Sequence, residues 1–253
     1  LPSHKPMNMT APIKNICLLL LVGLVASGSV MAGNFAVSPI RLDFDRATKT
    51  GVIAVTNDDD DKLQLQMKAF EWTQDADGKD KYEETDDLIF FPKIATVEKG
   101  EQRLLRTSYK IPATDKQKTY RLFIEEIPGP QKTPVQGAQI AVAVRFGVPI
   151  FLKPLKEEVK GEVESVKYAD GKLNVKIKNA GNTHFFINNI QLKSGEKIAE
   201  DIKGWYLLNN AARTYSFAMT PQACSAMGKF DIVVKTDIVE FTRPIDATVA
   251  CAP

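Results

Sequence analysis

Histidine, cysteine and helical periodicity are all scarce in this chain of 253 residues, which has 2 histidines and 3 cysteines. His4 lies in the apolar N-terminal leader described below, so His184 is the single histidine of the remaining sequence. A Ser-His-Asp triad, a Cys-His pair or a multi-histidine metal site would have to depend on that one residue. We therefore expect neither a nucleophilic hydrolase centre nor a metal site, and no helical domain.

The sequence after the leader has no net charge, and the chain has no phosphate-binding motif. The chain has 33 basic and 31 acidic residues, and the leader contains Lys5 and Lys14 but no acid, so the rest of the sequence is balanced. That balance gives no support to nucleic-acid binding or to a polybasic membrane patch. Because no glycine-rich phosphate loop is present either, we expect no ATP, no other cofactor and no nucleic acid.

The first 32 residues have the pattern of a secretory leader. Lys14 precedes an apolar run from Ile16 to Ala32, which ends in the small-residue motif Val30-Met31-Ala32. A membrane anchor is the alternative, but the run is short for a spanning helix of about 20 residues and contains glycine and serine. We predict a signal peptide, residues 1–32, that is cleaved after Ala32.

The cysteines agree with export. Cys17 lies in the leader, which leaves Cys224 and Cys251 as an even pair in a chain bound for an oxidising compartment. We predict a disulfide between them, which the chain-entropy estimate values at about 3 to 4 kcal/mol. Two free buried thiols are the alternative.

Short runs of Val, Ile, Phe and Tyr between turn signals predict an all-β protein. Examples are GVIAVTN, LQLQMKAFEW, YRLFIEEI, KLNVKIKN and FDIVVKT. About 220 residues are too many for one immunoglobulin-like β-sandwich of roughly 100 and suit two. The break falls at Lys153-Pro154-Leu155, which predicts domains at 33–154 and 155–253.

The stretch from Gln139 to Pro154 is the most distinctive strand. Branched or aromatic side chains alternate in it with polar or small ones, so one face is apolar. The four apolar positions are Ile140, Val142, Val144 and Phe146. The strand follows a Pro- and Gly-containing loop and ends at a proline, which places it at or near a sheet edge, where unpaired backbone groups invite another chain.

Two acidic runs resemble calcium loops but lack their spacing. The run from Asp58 to Asp61 does not alternate its acids, and the run from Asp75 to Asp80 lacks the closing Glu. We predict a solvated turn for the first and a hairpin turn around Asp77-Gly78 for the second.

Segments along nearly the whole exported chain resemble the periplasmic chaperones of the chaperone/usher pilus pathway, the PapD-like family. The segments are VSPIRLDF, VTN, FEWTQDADGKD, LIFFPKIATVEKGEQRLLR, YRLFIEEIPGP, the alternating strand and NAGNTHFFINNIQL. The Arg-x-Gly-x-Pro strand ending is more similar to the alternate or archaic branch.

The resemblance implies a non-enzymatic protein of two immunoglobulin-like sandwiches set at an angle. It implies that the alternating strand is donated to pilus subunits, with Ile140, Val142, Val144 and Phe146 entering the subunit's groove. It also implies a periplasmic location, delivery to an outer-membrane usher, and possible self-association of the free protein.

The resemblance further implies a basic anchor for the subunit's C-terminal carboxylate. Arg41 matches the family's arginine on the first strand, whereas Pro149 occupies the position of the family's lysine. Arg145 is the nearest substitute, and Arg103 and Arg106 are further candidates.

The family's inter-domain ion network matches Glu126, Lys153 and Asp237 here, with lysine in place of arginine. We expect these three side chains to hold the two domains at an angle.

Two other functions stay open. A secreted immunoglobulin-like adhesive or carbohydrate-binding module would use exposed aromatic residues, with Trp72 and Trp205 as candidates. A hydrolase built on Glu125 and Glu126 is disfavoured, because adjacent residues of a strand point to opposite faces.

Overall fold

The fold is described from a computed structural model, which covers residues 35–129 and 143–251. The predicted leader and two predicted strand residues, Ile140 and Val142, lie outside the described residues. Within the described part no helix is both long enough and apolar enough to cross a membrane.

Ten strands lie before residue 153. They are β1 (Phe35–Ser38), β2 (Leu42–Phe44), β3 (Thr50–Asn57), β4 (Leu63–Gln74), β5 (Asp80–Glu84), β6 (Leu88–Phe91), β7 (Ile94–Val97), β8 (Gln102–Tyr109), β9 (Lys118–Glu126) and β10 (Arg145–Leu152).

Eight strands and two short helices follow. They are β11 (Gly161–Ala169), β12 (Lys172–Asn179), β13 (Phe185–Ser194), β14 (Lys197–Lys203), β15 (Tyr206–Leu207), β16 (Ala212–Ala218), α1 (Pro221–Ala226), β17 (Lys229–Thr236), β18 (Glu240–Asp246) and α2 (Ala247–Ala250).

The first ten strands form two sheets. Sheet I has the order β1-β3-β8-β6, and sheet II has the order β2-β10-β9-β4-β5 with β7 also paired to β4. Alternate residues of each strand are buried between the sheets, among them Ile53, Leu65, Leu122 and Ile150. This half is therefore a β-sandwich with its own core.

The remaining strands form a second sandwich. Sheet III has the order β11-β12-β16, and sheet IV has the order β14-β13-β17-β18 with β15 paired to β13. Its core also takes in Trp72 and Phe151 from sheet II, so the two halves meet through buried aromatic side chains. The all-β, two-sandwich prediction is confirmed, whereas the boundary between 154 and 155 stays a prediction.

Each sandwich has a buried asparagine at the end of one strand: Asn57 ends β3, and Asn179 ends β12. Asn57 donates to the carbonyls of Asp61 and Val97, and Asn179 donates to those of Thr183 and Leu207. Both side chains are fully buried, so these bonds satisfy groups that would otherwise be costly to bury. The VTN and KNAGN motifs of the sequence thus close a corner in each half.

The segment FAVSPIRLDF does not form one continuous strand. It forms β1 in sheet I and β2 in sheet II, and the chain crosses between the sheets at Pro39 and Ile40. Proline lacks the N–H that a continuous ladder needs, which accounts for the break. The crossing brings Arg41 to the start of β2, next to the last residues of β10.

The disulfide prediction is confirmed. Cys224 and Cys251 are bonded, and both side chains are buried. Cys224 lies in α1 and Cys251 caps the end of α2, so the bond joins the two short helices.

Candidate functional site

The first half of β10 has an edge with no partner strand among the described residues. β9 pairs antiparallel with all of β10, from Arg145 to Leu152, whereas β2 pairs only with Ile150, Phe151 and Leu152. The edge opposite β9 is therefore open from Arg145 to Pro149. The sequence prediction of an edge strand is confirmed for this part of the segment.

The backbone groups along that open edge follow from the ladder. Val144 and Glu126 face each other, because the N–H of Glu126 donates to the carbonyl of Val144. Since the direction alternates along an antiparallel strand, the backbone groups of Arg145, Gly147 and Pro149 point away from β9. Proline has no N–H to leave unpaired there, which is why it is tolerated at this position.

The apolar positions of β10 continue the core face of the sandwich. Val148, Ile150 and Leu152 are buried in the core, and Phe146 is half-buried against it. Val144 has the same parity and is half-exposed. Ile140 and Val142 lie outside the described residues. Of the four predicted donor residues, the structure thus places two, on the core-facing side of the strand end.

The opposite face of sheet II carries a basic row through Pro149. Arg121 on β9 lies directly across from Pro149. On the other side Arg41 immediately precedes Leu42, which pairs with Ile150. The position where the family has lysine is therefore flanked by an arginine from each neighbouring strand segment.

Arg121 is the most buried cation of this row, with 8% of its surface exposed. Its Nη1 donates to the carbonyl oxygen of Gly147 at 2.9 Å, and the guanidinium carbon lies 4.0 Å from the centroid of the Trp72 ring. Its buried Nε has no hydrogen-bond partner, and no carboxylate pairs with it in the part of the chain described. An uncompensated, oriented guanidinium is suited to a bidentate carboxylate contact.

Arg41 already has carboxylate partners. Nε and Nη2 each lie 2.8 Å from an oxygen of Asp43, and Nη1 lies 3.7 Å from Asp237. Burial lowers the pKa of Arg41, but the hydrogen bond to Asp43 and the nearby acids more than offset this, so the pKa is raised overall. The guanidinium also lies over the Phe151 ring at 5.0 Å. Arg41 and Arg121 thus face one aromatic cluster, in which the ring centroids of Trp72 and Phe151 are 6.1 Å apart.

Arg145 lies further along the same face. Its Nε is 2.6 Å from Glu125, and its guanidinium carbon stacks 3.6 Å from the centroid of the Phe123 ring. The stacking needs the glycine of the strand, because a Cβ on Gly147 would lie 2.8 Å from the edge of that ring. Arg145 is therefore held against sheet II by two contacts.

The other two basic candidates lie elsewhere. Arg103 and Arg106 are exposed on β8, which belongs to sheet I, so they are not on the face that carries Arg41.

The predicted ion network is not formed among its three members. Glu126 accepts the N–H of Val144, Lys153 lies 3.4 Å from Glu157, and Asp237 accepts the N–H of Phe186. Among the described residues, Asp237 reaches the first sandwich only through its 3.7 Å contact with Arg41. No other ion pair within the described ranges, 35–129 and 143–251, joins Glu126 or Lys153 to the second sandwich.

His184 lies between the aromatic residues of the two sandwiches. Its ring stacks on Phe151 with centroids 3.6 Å apart, and its Nδ1 is 2.7 Å from the side-chain oxygen of Gln117. Burial, with a smaller contribution from the positive charge of Arg41, lowers the pKa of His184 to about 3. The residue is a neutral part of the interface and not a catalytic base.

The aromatic candidates of a sugar-binding module do not form a binding platform. Trp72 is fully buried between the sandwiches. Trp205 is partly exposed, and its Nε1 donates to Asp80 at 3.1 Å. No cluster of three or more potential metal ligands occurs in the described part of the chain either.

The candidate residue that sequence reasoning missed is Arg121. The sequence YRLFIEEI predicts its strand, but its position opposite Pro149 depends on how β9 and β10 are aligned. The sequence offered one indirect signal. If a basic residue has to compensate for Pro149, and if β9 and β10 pair antiparallel, then Arg121 is a candidate for that residue.

Comparison with known proteins gives a match to one family. Residues 34–157 match the family model for the pili and flagellar-assembly chaperone, PapD N-terminal domain. A comparison with curated proteins gave no match.

Solved structures share the fold of the chain. One is the CsuC–CsuE chaperone–tip adhesion subunit pre-assembly complex from archaic Csu pili of Acinetobacter baumannii. It has a TM-score of 0.60 and 21% identity over 84% of this chain and 98% of the other. Another is the Salmonella enterica SafA pilin with the SafB chaperone, with a TM-score of 0.56 and 14% identity over 86% and 99%. The class 5 fimbriae chaperone CfaA gives a TM-score of 0.54 and 13% identity over 83% and 98%.

Proposed function

We propose that the chain is a PapD-like chaperone, which holds pilus subunits in the periplasm by donor-strand complementation and delivers them to an outer-membrane usher. The observation that carries this proposal is the open edge of β10 from Arg145 to Pro149. The function needs binding alone, so we propose no catalysis and no cofactor.

The open edge supplies the backbone part of the interaction. An unpaired strand edge pairs readily with another chain, and such pairing by strand addition is a common way to bind an extended segment. β10 is rigid at its far end, where β2 and β9 pair on both sides of it. A partner can therefore extend sheet II without disturbing the sandwich.

The side chains supply the specificity. Val144 and Phe146 lie on the core-facing side of β10, so a subunit that pairs here would continue the apolar core of the first sandwich. Ile140 and Val142 lie outside the described residues, and in the sequence they continue the same alternation. Burial of one such side chain is worth about 1.5 to 3 kcal/mol, so three or four outweigh moderate ordering costs.

We propose that Arg121 and Arg41 together bind the subunit's C-terminal carboxylate. Arg121 has no acidic partner in the described part and already reaches over β10 to the carbonyl of Gly147. Arg41 would share its charge between Asp43 and the ligand. Arg145 would have to leave Glu125 first, so it ranks behind the other two.

Delivery to an usher needs a second surface that stays free while β10 is occupied. The outer face of sheet I carries exposed apolar side chains from three adjacent strands: Val52, Ile89, Phe91 and Leu104. This face lies on the other side of the core from the basic row. We propose it as the surface presented to the usher; the free β10 edge is where self-association would occur.

The first experiment co-expresses the chain with a candidate pilus subunit and measures how much subunit co-purifies from the periplasm. Val142→Arg and Val144→Arg should abolish co-purification, because a charge would be buried in the subunit's groove. Leu104→Arg is the matched control on sheet I and should retain the subunit. Retention of the subunit by both the Val142→Arg and the Val144→Arg variant would rule out strand donation.

A second experiment tests the anchor. Arg121→Ala should weaken subunit binding by about 2 to 5 kcal/mol, the range for losing one partner of a buried charged pair, and Arg41→Ala by less. The same variants are then tested with a subunit whose C-terminus is extended by several residues. If the anchor binds the C-terminal carboxylate, Arg121→Ala and wild type should bind the extended subunit with the same affinity.

A sugar-binding adhesive module is the alternative. It would predict that binding to a glycan survives Val144→Arg and is lost when Trp205 is replaced, and no subunit would co-purify. The burial of Trp72 leaves it one aromatic candidate of the original two.

A further inference from the structure

The tip of the β4–β5 hairpin lies against the second sandwich. The hairpin turn, Asp75–Asp80, is held internally because Asp75 accepts the N–H groups of Asp77 and Lys79 and the N–H of Gly78 donates to the Asp75 carbonyl. Gly78 has a positive φ of 74° and is buried although it stands at the tip of a turn. The sequence predicts this turn, but nothing in the proposed function uses it.

The surface that buries Gly78 is the free edge of sheet III. β16 is the last strand of that sheet and pairs only with β12 among the described strands. A Cβ on Gly78 would lie 2.7 Å from the carbonyl oxygen of Ala212 and 2.7 Å from the Cβ of Arg213. Hairpin and strand are therefore in direct backbone contact, with no room for a side chain.

Arg213 holds the tip from the other side. Its Nε donates to the carbonyl oxygen of Gly78 at 2.9 Å, and its Nη2 donates to the same oxygen. Nη2 also lies 3.9 Å from Asp80, and only about a fifth of each of these two side chains is exposed. A guanidinium that clamps one carbonyl with two donors fixes both the distance and the direction of the contact.

The base of the hairpin is tied to the same sandwich through Gln74. Its Nε2 donates to the carbonyl of Tyr206 at 2.9 Å and to Asp80 at 2.9 Å, and its Oε1 accepts the N–H of Leu208 at 3.0 Å. The indole Nε1 of Trp205 also donates to Asp80, so Asp80 accepts hydrogen bonds from both Gln74 and Trp205. The amide thus bonds β15 as a neighbouring strand would.

We propose that the hairpin Asp75–Asp80 is a latch that sets the orientation of the second sandwich relative to the first, with Arg213 as its positioning residue. The latch would thus hold the two domains at an angle, the role that the sequence analysis expected of Glu126, Lys153 and Asp237.

This inference rests on the proposed function for its consequence. Arg121 lies 5.7 Å from the Tyr206 ring, and Arg41 contacts Asp237, so both anchor arginines have neighbours on the second sandwich. Release of the latch would change those neighbours without altering β10. Arg213 would then act on subunit binding through orientation and not through contact.

The test measures the distance between the sandwiches directly. Spin labels are placed on Glu98→Cys and Glu196→Cys, two exposed positions on different sandwiches, in the exported chain with its disulfide intact. Wild type should give one narrow distance distribution by double electron–electron resonance. Arg213→Ala should broaden or shift it.

Arg243→Ala is the matched control. Arg243 also donates from one guanidinium to backbone carbonyls, those of Val163 and Glu164, but entirely within the second sandwich. Its removal should leave the inter-sandwich distance unchanged. A distribution for Arg213→Ala that matches both wild type and Arg243→Ala would overturn the latch.

A second pair of variants covers the case in which Arg213→Ala does not fold. Gly78→Ala places a methyl group against Ala212, whereas Gly171→Ala has the same backbone strain, with φ of 71°, and open space around it. Only Gly78→Ala should alter the distance distribution. Equal distributions for the two glycine variants would count against the latch as firmly.

Subunit binding separates this inference from the proposed function. If both hold, Arg213→Ala lowers the affinity for the subunit about tenfold, equivalent to about 1.4 kcal/mol, and Arg213→Lys restores part of it. If wild type binds no subunit, the proposed function fails while the spin-label result still decides the latch. An altered distance with unchanged affinity would keep the latch and overturn its link to the anchor.

Discussion

The two ends of β10 have the same strand geometry but opposite surroundings. Ile150, Phe151 and Leu152 are paired on both sides and fully or almost fully buried, whereas Arg145 to Pro149 is paired on one side only among the strands that the structure describes. One end is thus fixed by the fold and the other is left available. A strand that is to be lent to a partner must be held firmly somewhere, and here the holding point is also the contact between the two sandwiches.

The largest effect is expected at the fixed end. Phe151→Ala removes a fully buried ring that contacts His184, Trp72 and Tyr206. We expect the free energy of unfolding to fall by about 3 to 5 kcal/mol, as for other buried aromatic truncations. Urea unfolding followed by circular dichroism measures it.

Phe91→Ala is the control for that truncation. The Phe91 side chain is 73% exposed on sheet I, so its loss should change stability by no more than about 0.5 kcal/mol. Similar losses for the two variants would mean that Phe151 is not the holding point.

A pH effect of intermediate size is expected at the same place. Burial depresses the pKa of His184 to about 3, below its ordinary 6.5, so the unfolded chain binds the proton first as the pH falls. The stability due to the neutral ring is complete above about pH 6.5 and is lost progressively towards pH 3. The slope should be about 1.4 kcal/mol per pH unit in the free energy of unfolding.

His184→Gln isolates this contribution. Between pH 6.5 and about 5.5 the ordinary carboxylates titrate little, so in that window the variant should show a much flatter dependence than wild type. Parallel curves for the two proteins would show that the histidine does not titrate on unfolding.

The difference between the two ends also explains which features the sequence could predict. Apolar alternation and turn signals depend on neighbours along the chain, so β10 and the Asp77-Gly78 turn could be predicted. The Cys224–Cys251 bond could be predicted because only these two cysteines follow the leader. Pairing between strands depends on register, which is a property of the whole sheet.

Arg121 shows that limit, because its role follows from the residue across from it and not from its own segment. The split of FAVSPIRLDF into two sheets and the hairpin contact with Arg213 were inaccessible for the same reason. The ion network was carried over from a family pattern in which arginine stands at the position of Lys153. In this chain that lysine pairs with the nearby Glu157 instead.

The smallest effect is expected at the open end, at Gly147. An alanine there would place its Cβ 2.8 Å from the Phe123 ring, which must move and release Arg145 from its stacking. We expect a loss of about 1 to 3 kcal/mol in unfolding free energy, the range for overpacking. Gly129→Ala, which has open space around it, should be neutral. Because Arg121 donates to the carbonyl oxygen of Gly147, a shift of the strand at this position should weaken subunit retention as well. Unchanged retention would detach Arg121 from the open edge.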